Sequence, residues 1–149
     1  PTLFDRLVYS MIYDVSSSDE LLELRQILDE SIVQLAMSKI TPEEVEKLQH
    51  SIDKMKDACK NQDVEQMQTC DLEFHMLLID SCKNIFFIRI LKSVYSIFEK
   101  SIVENVRKET VDSKAPLYHQ RILDCIVNKD YNTVHEVVAE SLATWRERV

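Results

Sequence analysis

The sequence predicts an all-α protein, an antiparallel bundle of six to seven helices. Three observations carry that expectation. Apolar residues recur at three- and four-residue spacing through nearly the whole chain, the period of an amphipathic helix. Helix-capping residues, in places with a proline beside them, stand at the breaks between those stretches. The 149 residues include no glycine, so the tightest hairpin turns lack the residue they favour.

A short first helix is expected from about Thr2 to Tyr13. The polar run Ser16, Ser17, Ser18, Asp19 ends it, and Ser18 or Asp19 can cap a second helix reaching about Lys39. Thr41, Pro42, Glu43, Glu44 is a strong start signal: a capping threonine, proline at the first helical position, and a glutamate placed to reach back to the cap. It opens a helix to about Lys60. Asp63 can cap the next, to about Cys82, and Asn84 a long one, to about Glu109. Asp112 to Pro116 introduces another, to about Lys129, and Asp130 caps the last, which runs to the C-terminus. The breaks are short, so neighbouring helices are expected to pack antiparallel. With no internal repeat, low-complexity tract or linker, residues 1–149 read as one domain with a sizeable core. The chain opens on Pro1 rather than Met, which suggests that something precedes it.

Composition removes several classes of function. Hydrophobic residues make up 45% and charged residues 30%, a globular balance. No apolar run reaches the ~20 residues of a spanning helix, and Ile85–Leu91, the strongest, is interrupted by Arg89. No signal peptide opens the chain, so a cytoplasmic protein without a membrane partner is expected. Without glycine, the phosphate-cradling loops of Walker and Rossmann nucleotide sites are close to excluded. The net charge of −8 repels nucleic acid, and the densest basic group, Lys54, Lys56 and Lys60, is interleaved with Asp53 and Asp57. Cys59, Cys70, Cys82 and Cys125 form no CxxC pair and read as reduced, partly buried thiols.

The informative residues are polar ones on apolar faces, read at 100° per residue. On the helix from Asp63, Val64, Met67, Phe74, Leu78 and Cys82 form a stripe with Asp71 at its centre and His75 one turn on. After Pro116, His119 lies among Ala115, Ile122, Leu123 and Ile126. On the last helix, Ser141 lies within Val134, Val137, Val138 and Trp145. On the helix from Asp19, Arg25 falls at the edge of Leu21, Leu24, Leu28, Ile32 and Leu35. His50 and His135 point away and are expected in solvent. Taken singly, each inward residue has a plain structural reading: a hydrogen-bonded core histidine, a buried Asp71–Arg25 pair, a serine bonded back to its own helix. Together, Arg25, Asp71, His75, His119 and Ser141 point to one shared polar site. A buried carboxylate must be paired or bound to a metal, and an aspartate with two histidines suits a divalent ion.

These residues, in this order, resemble the effector-binding domain of GntR-type transcription regulators, the FadR C-terminal or FCD domain. The likeness runs from about Leu21 to the end. ELRQILDESIVQLA (Glu23–Ala36) resembles that family's opening helix, with Arg25 at its arginine. DLEFH (Asp71–His75) resembles its Asp-x-x-x-His. Ser81–Asn84 resembles the turn that follows, and YHQRILDCIVNKD (Tyr118–Asp130) its His-x-x-Ile segment. The resemblance implies a divalent metal, zinc or nickel, on Asp71, His75 and His119. It implies a small carboxylate effector, such as a hydroxy or sugar acid, touched by Arg25, Ser141 and Asn84. It also implies a homodimer in the complete regulator, with DNA bound by a winged-helix domain that this chain does not contain. The family's fourth metal ligand, a histidine, falls at Ser141, so the metal is expected to bind weakly or not at all. Two alternatives stand beside this one. A metal-dependent enzyme with a two-His-one-carboxylate site is disfavoured, because no further inward Glu, Lys or Tyr stands out as a general base. A helical adaptor with satisfied core histidines is the other.

Overall fold

The computed structural model describes residues 18–108 and 114–148, and within them the side chains of 19–96 and 114–143. The helix expected over Thr2–Tyr13 lies outside the described residues. Among those described there are six α-helices and no strand: α1 Ser18–Lys39, α2 Pro42–Lys60, α3 Val64–Asp80, α4 Ile85–Lys108, α5 Ala115–Val127 and α6 Val134–Arg148. A single 3-10 turn, Tyr131–Thr133, leads into α6, so the last α-helix starts later than Asp130 implied.

The capping chemistry accounts for most of the boundaries. Thr41 Oγ1 accepts the Glu44 amide at 3.2 Å, and the Glu44 carboxylate accepts the Thr41 amide at 3.0 Å, a reciprocal capping box. Asp63 caps α3 through the Gln66 amide. Asn84 caps α4 by accepting the amides of Phe86 and Phe87, both at 3.1 Å. At α5, Pro116 stands in the first turn and Lys114 makes no side-chain cap, while Asp112 lies outside the described residues. Helix ends normally use glycine in the left-handed conformation. Here Gln62 (φ 56°), Lys83 (φ 49°) and Lys129 (φ 51°) take that role. After α2 and after α5 the bonds are those of a Schellman turn: Gln62 N–H to Cys59 and Asp63 N–H to Ala58, then Lys129 N–H to Ile126 and Asp130 N–H to Cys125.

The main packing partners are α2 with α3, α3 with α4, α2 with α5, α5 with α6, and α1 with α6. Although only Ile40 and Thr41 join α1 to α2, α1 lies chiefly on α6, α5 and α3. That places α1, α3, α4, α5 and α6 around one interior, packed with Phe74, Ile79, Leu91, Leu123 and Val138. The buried face of α1 differs from the expected stripe. Leu22, Arg25, Asp29, Ile32, Val33 and Ala36 face inward, while Leu21, Leu24, Leu28 and Leu35 are half-buried. The α1 face is thus rotated by about one residue, which moves Arg25 from its edge to its centre. All four cysteines are buried free thiols. No helix among the described residues is long and apolar enough to cross a membrane.

Candidate functional site

The site is built on α3. Asp71 and His75 stand one helical turn apart, and helical geometry turns both side chains to the same face. His75 Nε2 lies 3.3 Å from Asp71 Oδ1. His119, one turn into α5, brings its Nε2 to 3.0 Å from the same oxygen. Pro116 and the α5 stripe of Ile122, Leu123 and Ile126 seat that helix on the core. Phe74, fully buried on the same face of α3, forms the apolar wall. Its ring stacks on His119 at 4.0 Å between centroids, 4° from parallel, and meets His75 edge-on at 5.8 Å. The two imidazoles stand nearly perpendicular, 5.4 Å apart.

A second layer continues from His75. The Tyr95 hydroxyl on α4 lies 3.5 Å from His75 Nδ1 and donates to Asp29 Oδ1 on α1 at 2.8 Å. The other Asp29 oxygen lies 3.5 Å from Arg25 Nε, also on α1. Five polar groups therefore run in contact from His119 through Asp71, His75 and Tyr95 to Asp29, with Arg25 at the end. Asp29 and Tyr95 are the residues that sequence reasoning missed: both are buried and both belong to this network. The signals were present. Asp29 falls one turn after Arg25, and Tyr95 sits with Leu91 and Val94 at helical spacing, all three buried.

The charges follow from this arrangement. Burial opposes ionisation of Asp71, but hydrogen bonds from His119 and then His75 outweigh it and hold the carboxyl well below the usual range. Burial pushes the His119 pKa down, and Asp71 only partly offsets that, so His119 is neutral near pH 7. As the neutral imidazole donates from Nε2 to Asp71, its Nδ1 is a bare acceptor, buried without a hydrogen-bond partner among the described residues. Burial also opposes the Arg25 charge, but Asp29 first, then Tyr95 and Asp71, keep the guanidinium pKa raised. Burial, then Asp29, pushes the Tyr95 phenol well above its ordinary value.

The donor set suits a metal ion. One ligand atom each from Asp71, His75 and His119 lie within 4.8 Å of one another. A carboxylate oxygen with two imidazole nitrogens is a set that zinc or nickel accepts. His119 Nδ1, the ring nitrogen that does not face Asp71, is buried with no hydrogen-bond partner among the described residues. A small cavity with room for about one water is lined by Asp29, His75 and Tyr95 together with aliphatic residues that include Ile32, Leu78 and Ile122.

Three expected residues lie outside this cluster. Ser141 is half-buried on α6, flanking the buried line Val134, Val138, Leu142, and its hydroxyl donates to the Val138 carbonyl at 2.7 Å. Asn84 is exposed, with its amide oxygen engaged in capping α4. Arg25 is buried and reaches the cluster through Asp29 and Tyr95. His50 and His135 are exposed, as their helical positions implied, although His135 Nδ1 lies 3.0 Å from Glu30.

Comparison with known proteins gives a consistent result. The FCD domain family matches residues 20–144. A Bacillus subtilis (strain 168) protein named "Uncharacterized HTH-type transcriptional regulator YcbG" is 26% identical over 132 residues, covering 87% of this chain and 53% of that protein. The chain thus spans about half the length of this relative. No solved structure matches the chain.

Proposed function

The chain belongs to the FCD domain family, and from that premise we propose that it senses a small carboxylate within the helical core, beside a divalent ion, for a GntR-type transcription regulator. The observation that carries this reading is that one ligand atom each from buried Asp71, half-buried His75 and buried His119 lie within 4.8 Å of one another. Zinc or nickel is the ion that those three side chains would hold, and when bound it supplies a Lewis-acidic seat for an effector oxygen. Arg25 is the candidate anchor for the effector carboxylate, since its guanidinium can form a bidentate contact. Asp29 faces it at 3.5 Å, so an incoming carboxylate shares or replaces that partner. Binding regulates DNA affinity to the extent that the effector favours one arrangement of the regulator over another.

Ser141 and Asn84 remain candidate effector contacts. Ser141 sits one turn beyond Val138, which borders the cavity. Asn84 has weaker support, because its amide oxygen is committed to the α4 cap. DNA contact belongs to a separate winged-helix domain of the complete regulator, a reading supported by the net charge of −8 here. A homodimer and a cytoplasmic setting belong to the same reading and rest on the family resemblance.

The inward tyrosine does not revive an enzyme. Tyr95 keeps its proton and donates a hydrogen bond to Asp29, and burial holds its pKa above the ordinary value, so it is no general base near neutral pH. Calorimetric titration with a panel of hydroxy and sugar acids, with and without zinc, tests the proposal. Zinc-dependent binding of at least one acid is expected, weakened by Arg25→Lys without loss of metal. If no acid binds under either condition, or if Arg25→Lys binds a confirmed ligand unchanged, the effector assignment fails.

A further inference from the structure

The ion site has three candidate ligands, yet the polar network does not end at them. His75 is held from both sides. Its Nε2 faces Asp71 at 3.3 Å and its Nδ1 faces the Tyr95 hydroxyl at 3.5 Å, with the two rings 5.7 Å apart. Tyr95 is in turn anchored by a short bond to Asp29 from a third helix. Asp29 is balanced by Arg25 one turn earlier. These are buried polar groups at the junction of α1, α3 and α4, where an unsupported phenol or carboxylate would be costly. We propose that Tyr95, held by Asp29, is the positioning residue that sets the orientation of His75 for a divalent ion, and that it joins the ion site to Arg25 as one network. The inference deepens the proposed function and rests on its ion reading.

The proton inventory shows why the arrangement suits an ion. Tyr95 has one hydroxyl proton and two acceptors to choose between when His75 Nδ1 is bare: Asp29 at 2.8 Å and Nδ1 at 3.5 Å. The shorter distance assigns the proton to Asp29, and Nδ1 is left with a phenol oxygen that donates elsewhere. If His75 instead carries its proton on Nδ1, each contact from His75 to Arg25 has one donor and one acceptor, while Nε2 and the Asp71 carboxylate face each other as two acceptors that a cation would join. Nδ1–H donates to the phenol oxygen, the phenol donates to Asp29, and Asp29 faces the Arg25 charge. That tautomer frees the Nε2 lone pair on the side where Asp71 and His119 converge. An outer partner that selects the tautomer and orientation of a ligating histidine is the usual way a protein tunes a metal site. The line ends on a guanidinium, so whatever changes the hold of Asp29 on Arg25 also changes the hold of Tyr95 on His75.

The test uses zinc alone as the probe, on the parent chain, Tyr95→Phe and Asp29→Asn. Zinc affinity is measured by competition with a chromophoric chelator, and the histidine ring nitrogens are followed by NMR in the parent with and without zinc. Tyr95→Phe should weaken zinc about tenfold or more, and Asp29→Asn should weaken it in the same direction. In the parent with zinc, the His75 Nδ1 resonance should be that of a protonated nitrogen. Helical circular dichroism of each variant in chelator establishes that it is folded; should Tyr95→Phe fail to fold, Asp29→Asn and the parent NMR decide the matter. Parent-like zinc affinity in the folded variants, or a zinc-bound parent with bare His75 Nδ1, overturns this proposal alone. Absence of zinc binding by the parent overturns the ion reading, and this proposal with it.

Discussion

Replacing His119 by leucine separates the two roles that the site could have, because its effect without metal is small and its effect with metal is complete. Three contributions act on the metal-free fold. Asp71 loses the closer of its two imidazole donors, at 3.0 Å, and a hydrogen bond to a charged group is worth about 1.5–3 kcal/mol. The parallel stack on Phe74 is lost, at about 0.5–1.5 kcal/mol. Against these, leucine removes the buried Nδ1 that has no partner, relieving a penalty of about 1–3 kcal/mol. The net is a loss of about 1 kcal/mol, roughly 2–4 °C in Tm for a domain of this size. Zinc at a hundred times its Kd should raise the parent by about 2.7 kcal/mol, roughly 5–10 °C, and should leave His119→Leu unmoved. Thermal melts of both proteins in chelator and in zinc read the four values. A variant that keeps a parent-sized zinc shift would show that His119 is not a ligand. A loss of several degrees beyond the expected range in chelator would show that the cluster is chiefly structural.

Other outcomes follow from the same geometry. In chelator, stability should fall as pH drops below about 6.5, the ordinary histidine value. The unfolded chain takes up a proton on His119 there while the folded site, with its lowered pKa, does not. The depressed Asp71 carboxyl adds a further loss at more acid pH, and denaturant melts across the range would expose a flat profile if either assignment were wrong. Gln62→Gly should raise stability by about 0.5–1 kcal/mol, because φ of 56° disfavours any residue with a Cβ; an unchanged denaturation midpoint would count against that turn. Ser141→His should strengthen zinc binding and add stability only when zinc is present. Unchanged affinity would place residue 141 away from the ion.

Much of this was legible in the residues because capping and periodicity are local. Thr41–Glu44, Asp63 and Asn84 start helices for reasons contained within four residues of each. The inward direction of Asp71, His75 and His119 is a matter of phase on well-patterned helices, and the structure brings all three together. What failed was phase on α1, where leucines surround the helix: Leu21, Leu22, Leu24 and Leu28 offer two overlapping stripes. Packing against α6, α5 and α3 selects the one containing Arg25 and Asp29. Tyr95 was missed because α4 is apolar on several sides, with Ile85, Phe86 and Ile90 exposed and Leu91 and Val94 buried. A tyrosine in such a stretch reads as core until its hydroxyl partner on another helix is known. Ser141 shows the converse, since its bond to Val138 gives it a local role that the helical wheel could not weigh against a shared one.

The most direct measurement is an equilibrium zinc titration of the chelator-stripped chain, with the cobalt-loaded protein examined by absorption spectroscopy. The account predicts one ion per chain and visible cobalt bands of a low-coordinate nitrogen–oxygen site. Both should be lost in Asp71→Ala, His75→Ala and His119→Ala and kept in His50→Ala, whose imidazole is exposed and not part of the cluster. Absence of a stoichiometric ion in the parent, or an ion retained by all three buried-site variants, would contradict it.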